Sequence, residues 1–199
     1  MKSHYFLATA MAALLASPAA SAHIDLISPT PLQDGHAYDG NALKAAPFGA
    51  PDVDGMTAPS HTVAAGSVID VEVNVYKLHP GEIVISYTRD LTGEDAYPVY
   101  EIASIKTPIP HTNVLLQAAA PCSNSVGCTT GAPADEPFRA KVKLPDIEGD
   151  IMLIARQVMR DKMIVNDDGS VDLSEVYYHQ AAKLHLVRTG TGQQSQHSE

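Results

Sequence analysis

Within positions 67 to 76 apolar and polar residues alternate from Ile69 to Val75, with Ile69, Val71, Val73 and Val75 on one face and Asp70, Glu72 and Asn74 on the other. That two-residue period belongs to a strand with one face in a core and the other toward solvent. Short runs of the same kind recur at 23–28, 82–88, 101–106, 138–144, 151–159 and 177–187, separated by Pro, Gly and Asp. Pro29 and Pro31 end the first of them, and 82–88 is expected to pair with 67–76 as a hairpin across Leu78-His79-Pro80-Gly81. No stretch has the period of a long amphipathic helix. About seven strands, with no helices to cover a parallel sheet, predict an all-β domain: an antiparallel two-sheet β-sandwich, immunoglobulin- or fibronectin III-like, with polar outer faces.

Two long intervals interrupt the pattern, Pro31 to Pro59 and Pro108 to Pro137, and the first holds His36, Tyr38, Asp39, Lys44 and Phe48 among small residues. Long loops on a rigid sandwich are where binding surfaces usually lie. Asn166-Asp167-Asp168-Gly169-Ser170-Val171-Asp172 has the composition of a calcium loop. Its carboxylates miss the ligand positions and no Glu closes it, so a hairpin turn built on Asp168-Gly169 is expected instead.

The ends of the chain are of a different kind. Met1 to Ala22 has a short basic start at Lys2, an apolar core from Tyr5 to Leu15, a helix-ending Ser17-Pro18 and then Ala20-Ser21-Ala22. This is the build of a signal peptide, too short to anchor in a membrane. The expected organisation is therefore a leader at 1–22, one folded domain at 23–188, and a polar, disordered tail at 189–199. Losing Lys2 with the leader would take the net charge from −10 to −11. Such an acidic chain is a poor nucleic-acid binder. The product is expected to be a secreted or periplasmic monomer with no membrane contact, and an oxidising compartment would let Cys122 and Cys128 pair as a local loop staple.

Cleavage after Ala22 would make His23 the first residue. An N-terminal histidine offers one metal ion both its α-amine and its ring Nδ1, and a second imidazole completes a three-nitrogen set suited to copper. The partner must come from the remaining histidines. His36, His61 and His111 are expected in loops, His185 points away from the core side of the last strand, and His197 lies in the tail. His79 ends a well-patterned strand, where Pro80 and Gly81 would fix the backbone at one end of the sandwich. Unbound imidazole and α-amine titrate at roughly 6.5 and 7.7–8, so copper affinity is expected to fall in mild acid.

His23-Ile24-Asp25-Leu26-Ile27-Ser28-Pro29, Lys44-Ala45-Ala46-Pro47-Phe48-Gly49, Leu78-His79-Pro80-Gly81, Ile154-Ala155-Arg156-Gln157-Val158-Met159 and Tyr177-Tyr178-His179-Gln180-Ala181 follow one another across nearly all of the mature chain. In order and spacing they resemble the lytic polysaccharide monooxygenases, in particular a bacterial secreted group. The resemblance implies a copper cofactor in a histidine brace made by the amine and Nδ1 of His23 with Nε2 of His79. It also implies an axial Tyr, a polysaccharide substrate such as chitin or cellulose, and an electron donor. Counting back by twos from Leu186 and Leu184 favours Tyr178 over Tyr177 as the inward-facing residue. Gln157 is a candidate hydrogen-bonding group near the open copper position, or an ordinary strand residue.

Two features depart from the family. Phe48 stands where relatives have a Cys, and Gln180 or Ala181 where they have its partner; the chain also has no Trp to grip crystalline polysaccharide, leaving Tyr38 and a few other tyrosines. A rival reading is a copper-binding or copper-delivering periplasmic protein, with Met152, Met159 and Met163 as soft ligands for Cu(I) or simply as core residues. A third is a carbohydrate-binding module in which His23 is coincidental.

Overall fold

The structure, a computed structural model, describes residues 23–33, 42–49, 57–122 and 129–188. The expected leader, the tail, Tyr38 and Cys128 lie outside these residues, and so does most of the proposed Cys122–Cys128 loop. Among the described residues there are eleven strands: β1 (Ile24–Ser28), β2 (Ser60–Ala64), β3 (Val68–Val75), β4 (Gly81–Thr88), β5 (Glu101–Ile102), β6 (Val114–Ala119), β7 (Phe138–Lys143), β8 (Gly149–Met159), β9 (Ile164–Val165), β10 (Val171–Asp172) and β11 (Tyr177–Val187). The helical content of the described residues is confined to short 3-10 turns such as Ala42–Lys44 and Arg160–Lys162. Among these residues no helix is long and apolar enough to cross a membrane.

The fold is a β-sandwich. One sheet has the order β1-β3-β7 and the facing sheet the order β2-β11-β8-β4-β6. Between them lie Val71, Val73 and Val75 of β3, Ile83 and Ile85 of β4, Ile151, Leu153 and Ala155 of β8, and Leu184 and Leu186 of β11, each at most 3 % exposed. Every pairing in the two sheets is antiparallel except that of β2 with β11, which runs parallel at one edge.

Three expectations are corrected. First, β3 and β4 do not form a hairpin. β3 is flanked on both sides by β1 and β7, while β4 joins β8 and β6 in the other sheet. Alternation shows that each is half-buried and says nothing about its partner, so 78–81 is a crossover between sheets. Second, the interval 108–137 carries strand β6, and His61, expected in a loop, sits in β2. Third, the outer face of the five-stranded sheet is not polar. Val84, Val158, Val171, Leu173, Val176 and Tyr177 form a second buried cluster under a small sheet of order β5-β10-β9. β8 is buried on both faces, so the face turned away from the main core has a cover of its own. The β9–β10 connection is the expected hairpin, closed by Asn166 N–H to Ser170 O at 2.9 Å and Gly169 N–H to Asn166 O at 3.0 Å.

The turn at Ala45–Gly49 lies against β11. Phe48 is 3 % exposed and packs with Met152, Ile154 and Ala181. Phe48 and Ala181 thus share an apolar cluster, while Gln180 faces inward. A Cβ on Gly49 would come within 2.0 Å of the His179 carbonyl oxygen, so only glycine lets the turn approach this closely.

Candidate metal centre

The site lies where β1 begins, and backbone pairing builds it. Ile24 is opposite Val75, and the His23 carbonyl accepts the Tyr76 N–H at 2.9 Å. Three residues beyond Tyr76 the crossover brings His79 back over the same end. The two imidazoles are stacked, with centroids 5.3 Å apart and planes 16° from parallel. On its other side the crossover is held by Gly81, opposite Met159, and by the Arg160 N–H donated to the Pro80 carbonyl at 2.8 Å. A Cβ on Gly81 would meet the Val158 carbonyl oxygen at 1.8 Å, which explains the glycine after His79-Pro80.

Continuing that antiparallel register by two residues sets Asp161 against His79. The Nδ1–H of His79 donates to Asp161 Oδ2 at 2.9 Å, with Oδ1 at 3.2 Å. Fixing the proton on Nδ1 leaves the lone pair on Nε2. This Nε2 is buried with no hydrogen-bond partner, and so is Nδ1 of His23. Buried polar atoms are normally paired, so two orphaned nitrogens on facing rings suit a bound ligand. They are also the two ring nitrogens that an N-terminal histidine brace would use. Among the described residues no three His, Cys, Asp or Glu side chains gather as a metal site. A metal held here would need the α-amine of a processed His23 as its third nitrogen.

Tyr178, 4 % exposed, faces inward from β11 and stacks on the His23 ring at 4.0 Å and 13°. Tyr177 faces the other way, its hydroxyl donating to the Val99 carbonyl at 2.8 Å. Burial, helped by nearby Glu175, pushes the Tyr178 phenol up to about 12, so it stays protonated at neutral pH. The ammonium of Lys44, paired with Glu175, lies 5.5 Å from the centre of the Tyr178 ring. Gln157 stands opposite Tyr178 on β8 but is wholly buried. Its Nε2–H donates to the Lys77 carbonyl at 3.0 Å, so it supports the crossover from beneath. A cavity of about 460 Å³ opens over His23 and Tyr178, bounded by Met159, Lys162, Met163 and Ile164. Met152 lies elsewhere, in the cluster with Phe48.

Asp161 is the residue that sequence reasoning missed. It lies beyond the end of a strand, and only the 81-to-159 register places it beside His79. The second is Gln180, also wholly buried, whose Oε1 accepts the Leu26 N–H while its Nε2 reaches the Gln33 carbonyl at 3.3 Å. It ties β1 to the opposite sheet.

Burial and the nearby cations Lys77, Lys44 and Lys162, together with His79, lower the His23 ring to about 4. That ring stays neutral through mild acid, so in a chain processed after Ala22 the α-amine would carry the proton competition there. Burial and Arg156 likewise lower His111 to about 4 and hold His179 well below its ordinary value. In the unfolded chain all three bind a proton near pH 6.5, so the unfolded state takes up more protons and stability falls as pH drops below that value. His23 and His111 stop contributing near pH 4, where their folded forms protonate. His179 alone would contribute up to about 1.4 kcal/mol per pH unit. Urea midpoints of metal-free protein should therefore decline steadily from pH 6.5 to 5; a flat profile there would contradict these three neutral histidines.

No protein-family model and no curated protein matches the sequence. Three solved structures are similar at low identity. A cellulose-active LPMO in complex with copper is 12 % identical with a TM-score of 0.35, over 66 % of this chain and 55 % of that one, so the chain spans about half of its length. A chitin-binding domain from Burkholderia pseudomallei is 11 % identical with a TM-score of 0.44, over 83 % of this chain and 99 % of that one. An AA10 lytic polysaccharide monooxygenase from Streptomyces lividans is 10 % identical with a TM-score of 0.36, over 83 % of each chain.

Proposed function

We propose that this chain is a secreted histidine-brace copper protein that cleaves polysaccharide oxidatively, in the manner of the lytic polysaccharide monooxygenases it resembles in sequence. The observation that carries the reading is the pair of buried, unpartnered nitrogens, Nδ1 of His23 and Nε2 of His79, on stacked rings. Copper bound there would supply one-electron chemistry with a reductant and oxygen or peroxide. The protein's part is to present both ring nitrogens to the metal. Asp161 fixes the His79 tautomer that leaves the lone pair on Nε2, and burial holds the His23 ring neutral. Tyr178, stacked on His23, would place a protonated phenol beside a metal held there, and Gln157 anchors the crossover that carries His79. Chitin and cellulose are the substrates to test first, each with an electron donor.

Asp161→Ala is expected to weaken copper about 10- to 100-fold, the usual loss when the partner of a ligating histidine is removed. Asp161 is 28 % exposed, so the fold should be unaffected. Competition titration against a chelator of known affinity checks this, and an unchanged affinity would remove Asp161 from the site.

A second reading, copper delivery without turnover, is favoured by Met159 and Met163, which line the same cavity. The experiment that decides is intact mass, copper titration and ascorbate-driven peroxide consumption on protein secreted by a host that removes its own leader. A mass starting at His23, one tight copper, and oxidised glycan products establish the enzyme. Tight copper with no peroxide consumption establishes the carrier. Protein that starts at His23 and ignores copper overturns both.

A further inference from the structure

The outer face of the five-stranded sheet holds a buried cation with no counter-ion among the described residues. Arg156 is 2 % exposed, its Nε–H donates to Nδ1 of His179 at 2.9 Å, and one terminal nitrogen donates to the Ala96 carbonyl at 3.1 Å. Its guanidinium carbon lies 5.9 Å from the centre of the Tyr177 ring. Among the described residues no carboxylate pairs with it. Burial lowers it only to about 10, so it remains charged at neutral pH. An isolated buried ion costs several kcal/mol unless paired, and in a chain of net charge −10 acidic side chains are plentiful.

The guanidinium lines a small cavity of about 90 Å³, roughly three times the volume each water occupies in the liquid. His111 and Ser86 line it too, and both ring nitrogens of His111 are buried without partners. Glu82 and Arg160 are the other charged groups that influence the His111 ring. Tyr97, 51 % exposed, stands at the wall. Arg156, His111 and Ser86 thus share a space whose remaining wall is Ala96, Tyr97, Pro98, Val99, Pro110 and Thr112.

We propose that this cavity binds a small oxyanion, a carboxylate or inorganic oxyanion of a few heavy atoms, held by Arg156 with His111 and Ser86. The anion neutralises the guanidinium, gives His111 a partner and leaves Arg156 bonded to Ala96. Occupancy thereby stiffens the loop from 96 to 99 against β8. The site lies on the opposite face of the sheet from Tyr178 and does not depend on copper.

The test is calorimetry and thermal unfolding of the secreted protein at pH 7 with a chelator present. Sodium formate, acetate and phosphate are each compared with sodium chloride at equal ionic strength. At least one should bind with one-to-one stoichiometry and raise the melting temperature above the chloride control. Acetate or formate alone identifies a carboxylate site, and phosphate alone an inorganic oxyanion site. His111→Phe, which fills the cavity and keeps Arg156, should weaken binding at least tenfold, and Arg156→Met should abolish it. Responses no different from chloride overturn the proposal, as does binding unchanged in His111→Phe. The latter variant keeps the test decisive even if Arg156→Met fails to fold.

Discussion

His79→Ala is expected to reduce copper affinity by more than about 100-fold, beyond the upper end of what the loss of a supporting residue costs. The reason is geometric. His79 supplies one of two orphaned nitrogens, and among the described residues no other histidine stacks on His23. Asp161, left behind, is part-exposed and can be solvated, so the fold should survive the substitution. Copper titration alongside a melting curve separates the two effects. A variant that keeps its copper within tenfold of the parent would mean that the metal, if any, is bound elsewhere.

Phe48→Ala should lower stability by about 3–5 kcal/mol, the range for truncating a buried aromatic. For a domain of this size that is a drop in melting temperature of roughly 6–20 °C. Phe48 packs on Met152, Ile154 and Ala181, and its carbonyl accepts the Gln33 side-chain N–H at 2.9 Å. The turn therefore has no obvious way to collapse into the space. Phe48→Leu should recover much of the loss. Copper affinity should change less than tenfold, since Phe48 lies on the outer side of β11 and the imidazoles on the inner side. A melting temperature within 2 °C of the parent would refute the packing described.

How much of this was legible in the sequence depended on the kind of signal. β3 and β11 were read nearly to the residue because strict alternation and a strong apolar register survive in any context. Tyr178 and Tyr177 separated onto opposite faces by the same period. Apart from the Asp168-Gly169 hairpin, pairing was not legible: β3 and β4, adjacent in sequence and matched in pattern, belong to different sheets. β6 escaped because Val114–Ala119 is flanked by prolines and only partly buried. Asp161 and Arg156 were invisible for a related reason, since each becomes notable only through a neighbour brought to it by strand register. Histidine spacing from 23 to 79 means little alone, and becomes a site because β1 and β3 run antiparallel and end together.

Chain termini usually fray, and a ligand set placed on one must be ordered each time it binds. Here the first residue of the expected mature chain is held as firmly as the middle of a strand. Its carbonyl is bonded to Tyr76, the next three residues are buried, and Leu26 is tied across the sandwich to Gln180. The backbone entropy of about 1–2 kcal/mol per residue that a loose end would surrender on capture is already spent in folding. A terminus built this way confers rigidity where chains are ordinarily slack, so an ion captured by the two imidazoles would find them pre-organised.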